Sequence, residues 1–159
     1  MDRAIAAFAS MGAKVGMAHF LDLQAEACLR VGRFEMARVA LGSSLRAAEQ
    51  HRNAYQSAET LRLCGELELA EADSATARVT AIGYFERALD RARQHGARSL
   101  ALRAATSLAR VWMRQGRAGA GVEMLAPLTD AFAEGRETGD LLSAQALLDE
   151  LRARPARSS

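Results

Sequence analysis

At 159 residues the chain fits one domain, and with half of it apolar it has material for a real core. The apolar half is skewed, with 35 Ala and 20 Leu against 6 Val and 2 Ile, and only Pro127 and Pro155 can break a helix; strands are excluded and an all-α protein is expected. A net charge of +2 argues against nucleic acid as a partner, and no apolar run reaches the ~18 residues of a membrane span.

The elements follow from apolar spacing and from the glycines that punctuate it. A half helix is expected over 2–11, around Ile5 and Phe8. A first hairpin spans 14–51, its helices (14–31 and 34–51) parted at Gly32. A second spans 54–95, with helices 54–71 and 76–95 and a turn around Ala72 to Thr80 four residues longer than the ordinary one. A third spans 98–134, its helices (98–115 and 118–134) parted at Gly116. A capping helix over 140–153 starts at Asp140 as N-cap and is stopped by Pro155. Residues 1–154 then form a single helical-repeat domain, and 155–159 a disordered tail.

Internal repetition underlies this order. Leu29-Arg30-Val31-Gly32-Arg33 returns 84 residues later as Met113-Arg114-Gln115-Gly116-Arg117, and Gln50-His51 returns after 44 as Gln94-His95. The unit is therefore a hairpin of 40 to 44 residues. Small residues recur where two helices must touch: Ala25, Gly65 and Ala109 in the first helices, Ala37, Ala81 and Gly121 in the second. Leu41, Phe85 and Leu125 follow four residues after the second set. Small facing small with a large residue one turn on is a way for helices to pack closely.

These marks resemble tetratricopeptide repeats stretched beyond 34 residues, which implies a right-handed α-solenoid. The run Leu125-Ala126-Pro127-Leu128, Phe132, Glu134-Gly135, Thr138, Asp140-Leu141 and Ala146-Leu147-Leu148-Asp149-Glu150-Leu151 also resembles the C-terminal arm of bacterial signalling proteins. Those proteins join a class III nucleotidyl cyclase or a DNA-binding domain to a predicted ATPase. Ala25 to Leu29 with Gly32-Arg33, and Gly96 to Leu100 with Leu102 to Ala105, extend the resemblance over nearly the whole chain. It departs at Thr129-Asp130 and between Ser143 and Gln145.

Chemistry is sparse. Gly116, Gly119 and Gly121 lie between helices, without the strand or the Lys-Ser/Thr of a phosphate loop. His19, His51 and His95 are too few and too scattered to announce a metal, and no cofactor is expected. Cys28 and Cys64 read as small buried hydrophobes, and Trp112 as a core residue. No catalytic residue is expected. The expected role is partner binding on the concave face lined by the first helices: His19, Asp22, Glu26 and Arg30; Glu59, Arg62 and Glu66; and Arg103, Thr106, Arg110 and Arg114. This face would grade from mixed and acidic to basic, with Arg103, Arg110, Arg114 and Arg117 as one stripe for an acidic peptide or anion. The alternatives are ion pairing of these arginines with neighbouring helices, ligand sensing on behalf of a larger ATPase or cyclase, and a homodimer through Ile5 and Phe8. No secretory leader is evident, and the expected compartment is the cytoplasm.

Overall fold

A computed structural model describes residues 16–50, 54–132 and 137–154. The half helix at 2–11 with Ile5 and Phe8, together with His51 and the tail, lies outside the described residues. Within them the protein is all-helical. The helices are α1 (Met17–Arg30), α2 (Phe34–Gln50), α3 (Ala54–Glu71), α4 (Ala75–Gln94), α5 (Arg98–Arg114), α6 (Ala118–Asp130) and α7 (Gly139–Ala153).

Three of the turns share one solution. Gly32, Gly96 and Gly116 have φ of 71°, 64° and 77°, a left-handed conformation that only glycine adopts without penalty. Each lets the next amide reach back five residues along the helix end, Arg33 to Cys28 (2.9 Å), Ala97 to Ala92 (2.8 Å) and Arg117 to Trp112 (2.9 Å). Carbonyls left over at the end of α1, α4 and α5 are satisfied in this way, and the chain reverses within three residues.

Two boundaries differ from expectation. The extra length of the middle hairpin is not in its turn. Ser74 Oγ accepts from the Ala77 amide at 3.0 Å and caps α4 at Ala75, so the added residues form another helical turn and the connection keeps three residues. Asp140 is not the N-cap of α7. Thr138 holds that place without a side-chain bond, and Asp140 lies in the first turn, where a carboxylate still suits the positive end of the helix dipole. Arg154 is extended, as expected for the residue before a proline.

Consecutive helices pack in pairs, and the small residues of the repeat lie where they meet. Ala25, Ala37, Ala81, Ala109, Phe85 and Leu125 are fully buried and Leu41 nearly so. A Cβ added to Gly65 would come within 2.5 Å of the Phe85 ring, and one on Gly121 within 3.1 Å of Leu151. Glycine is therefore needed at 65, while at 121 a methyl group would fit only if Leu151 gave way by a few tenths of an ångström. Cys28 and Cys64 are buried among Ala25, Leu41, Leu63 and Leu67, and burial pushes the Cys64 thiol up to about 11.

The helices form two rows. The backbones of α1, α3, α5 and α7 each approach the next closely along one row, whereas those of α2 and α4, like α4 and α6, stand further apart. A buried polar knot ties the start of this arrangement together. The Ser44 hydroxyl of α2 and the Thr60 hydroxyl of α3 lie 2.8 and 2.9 Å from Asp22 Oδ1 on α1.

Candidate functional site: a charged trough along α5

Of the expected groove residues, the structure gathers most along α5 but assigns them different work. Asp22 is 3% exposed and held by Ser44 and Thr60, and it lines the floor of the first cavity described below. Glu59 and Arg62 are each only 8% exposed and form part of the trough's floor. Arg62 binds Glu59 at 2.7 Å and Glu66 at 3.2 Å. Burial opposes its charge, but the Glu59 hydrogen bonds and the nearby carboxylates outweigh that, and its pKa is raised. Glu66 in turn accepts from Ser107 Oγ on α5 at 2.5 Å.

Arg103 is the hub. Its guanidinium lies 3.0 Å from Glu59 on α3, 3.9 Å from Glu26 on α1 and 3.7 Å from Asp140 on α7. Arg30 is exposed and pairs with Glu26 at 3.1 Å. One side chain of α5 thus meets carboxylates from the other three helices of its row. The basic stripe is therefore shorter than expected. Arg117 leaves it as well, since its guanidinium sits 4.6 Å from the centroid of the half-buried Trp112 ring, a cation–π contact away from the row.

What remains is Arg110 and Arg114. Arg110 donates to Ser143 Oγ on α7 at 2.7 Å and, like Arg114, has no ion-pair partner among the described residues.

Three contiguous cavities follow α5. The first, about 260 Å³, has His19, Leu23, Leu63 and Leu100 on its walls beside Asp22, Glu26, Glu59 and Arg103. The second, about 380 Å³, shares Glu26 and Arg103 with it and adds Arg30, Arg62, Thr106, Ser107 and Asp140. Arg110 and Ser143 lead into the third, about 280 Å³, with Met113, Arg114, Leu147 and Glu150. Together they make an open trough that begins half-apolar, has its arginines held by carboxylates in the middle, and ends with Arg110 and Arg114, outside those ion pairs, beside Glu150.

Sequence reasoning missed the apolar end (Leu23, Leu63 and Leu100) and the polar contributors Ser107, Asp140 and Ser143. A signal for part of this was present: Glu59 and Arg103 are separated by 44 residues, and Glu66 and Ser107 by 41, one repeat in each case. Residues one repeat apart stand side by side in such a stack.

Among the described residues no group of three or more His, Cys, Asp or Glu could hold a metal ion, and no helix is long and apolar enough to cross a membrane. His95 is exposed at the C-cap of α4. Comparison with protein-family models, with characterised proteins and with solved structures gives no match.

Proposed function

We propose that this chain is a non-catalytic protein–protein interaction module, a right-handed α-solenoid of tetratricopeptide-like hairpins that receives a peptide or partner domain in its trough. The observation that carries the reading is the unequal contact of the two rows. Helices α1, α3, α5 and α7 touch in succession while the outer ones stand apart, as expected where the first row lines the concave side. The trough along that side offers hydroxyls, guanidinium groups and a leucine-lined end, set on helices rather than loops, which favours binding with little rearrangement. The resemblance of the 125–151 run is what supports, as part of this proposal, a role beside a bacterial signalling ATPase or nucleotidyl cyclase in the cytoplasm. A homodimer through Ile5 and Phe8 would involve a segment outside the described residues.

The test is partner capture from an extract of the source cells, with the parent chain and the Arg110→Glu/Arg114→Glu double variant compared side by side. Both arginines are exposed, so helix content by circular dichroism should be unchanged. Capture should be lost in the variant. A variant that captures the same partner equally well would sink the trough assignment.

A further inference from the structure

We propose that the ligand of the trough is a short acidic peptide in extended conformation, with one apolar side chain beside Leu23, Leu63 and Leu100 and two side-chain carboxylates about five residues further on, at Arg110 and Arg114. This rests on the interaction-module reading and adds to it the chemistry and spacing of the partner.

The argument begins with which charges remain available. Arg62 is matched by Glu59 and Glu66, Arg103 by Glu59, Glu26 and Asp140, and Arg30 by Glu26. These three arginines are held by four carboxylates, so the middle of the trough offers no seat for an acidic side chain. Arg110 has only the Ser143 hydroxyl, which takes one of the five N–H donors of a guanidinium. Arg114 stands exposed one turn further along the same face, and of the residues lining that cavity only Glu150 is acidic. Met113, Ala146 and Leu147 complete the wall. Guanidinium groups beside such a surface favour carboxylates in bidentate geometry.

The opposite end selects differently. Leu23 is 44% exposed although it faces a cavity, and Leu63 and Leu100 share that cavity with it. An apolar side chain seated there removes leucine surface from water.

The two ends are a fixed distance apart because both are marked on α5. At about 1.5 Å per residue, Leu100 and Arg110 are about 15 Å apart along the helix, and Leu100 and Arg114 about 21 Å. An extended chain advances about 3.3 Å per residue, so about five residues separate the apolar anchor from the carboxylates.

Two labelled peptides of identical composition test this, both acetylated and amidated so that only side-chain carboxylates carry charge. One reads Leu-Ser-Gly-Ser-Gly-Glu-Glu, and its isomer reads Leu-Glu-Glu-Ser-Gly-Ser-Gly. Fluorescence anisotropy with the full chain at low ionic strength should show the first binding about tenfold more tightly. That advantage should vanish in Arg110→Gln/Arg114→Gln, and Leu23→Asp should weaken the first peptide about as much. Equal affinity for the two isomers overturns the spacing. Undiminished binding by the arginine variant overturns the carboxylate seat. If neither peptide binds while the captured partner still depends on Arg110 and Arg114, the peptide chemistry is wrong and the module reading survives; if that dependence is also absent, both fall.

Discussion

Replacing Gly65 by Ala should destabilise the protein, and the same replacement at Gly83 should stabilise it. Both glycines lie inside helices, α3 and α4, where alanine is favoured by about 1 kcal/mol. Their surroundings differ. A Cβ on Gly83 meets nothing within 4 Å, whereas on Gly65 it would sit 2.5 Å from Phe85 Cε1 and 2.8 Å from Cδ1 and Cζ. Ordinary carbon contacts are about 3.5–4.0 Å, so the ring must retreat by about 1 Å. Phe85 is fully buried, in a cluster with Ala81, Leu108 and Val111, so the ring can move only by displacing packed neighbours or filling a void among them. Overpacking of this kind costs about 1–3 kcal/mol. Subtracting the propensity gain leaves Gly65→Ala less stable by up to about 2 kcal/mol, which for this chain length lowers Tm by up to about 8 °C. Gly83→Ala should raise it by a few degrees. Thermal melts followed at 222 nm read both. Phe85→Leu in the Gly65→Ala background should recover part of the loss, giving a coupling energy of opposite sign to the two single changes. If Gly65→Ala stabilises as much as Gly83→Ala, the close approach of α3 and α4 is wrong.

The charge network and the thiol give further expectations. Arg62→Ala takes the hydrogen bonds of a buried guanidinium from Glu59 and Glu66 but leaves Glu59 with Arg103 at 3.0 Å, and should cost about 1–3 kcal/mol by urea denaturation, whereas Arg30→Ala, at an exposed pair, should change stability by well under about 1 kcal/mol. With the Cys64 pKa raised from 9.0 to about 11, the native state keeps a proton that the unfolded chain gives up. Stability should therefore fall as pH rises from about 9 to 11, by about 2–3 kcal/mol for this group. Cys64→Ala should flatten that fall, and a slope equal to the parent's would contradict the buried thiol.

The legible part of the fold was local. Gly32, Gly96 and Gly116 announce helix ends because left-handed backbone belongs to glycine, and all three fall at such turns. Ala37, Ala81 and Gly121, each followed by a large residue, announce contact points because helices cannot approach closely over bulky side chains. Ser74 was just as legible as a cap, yet the run Ala72 to Thr80 read as turn because the repeat alignment drew attention to its extra length rather than to its chemistry. The trough was half legible. Periodicity puts Arg103, Arg110 and Arg114 on one face of α5, but which of them stays charged toward solvent depends on helices 37 to 77 residues away in sequence. Arg117 shows the same limit. Its spacing continues the stripe, but the chain leaves the helix at Gly116 and the side chain turns to Trp112.

The matched charges explain why the trough can exist at all. A groove between four helices lined with leucine would draw the helices together or attract other chains. Burying isolated charges there would be worse, because each loses its hydration. Arg62 and Arg103 resolve both problems, since each guanidinium is bound by carboxylates from its own or neighbouring helices and holds a polar floor open. Such pairs add little net stability over well-packed apolar residues, so their effect lies in which helices sit side by side and at what height. Arg103 can meet Glu26, Glu59 and Asp140 together only if α1, α3 and α7 hold one register against α5. The same register sets the distance from Leu23 and Leu63 to Arg110 and Arg114. The internal ion pairs therefore fix the spacing that a partner must match, and the two arginines left outside them supply the charge that it must carry.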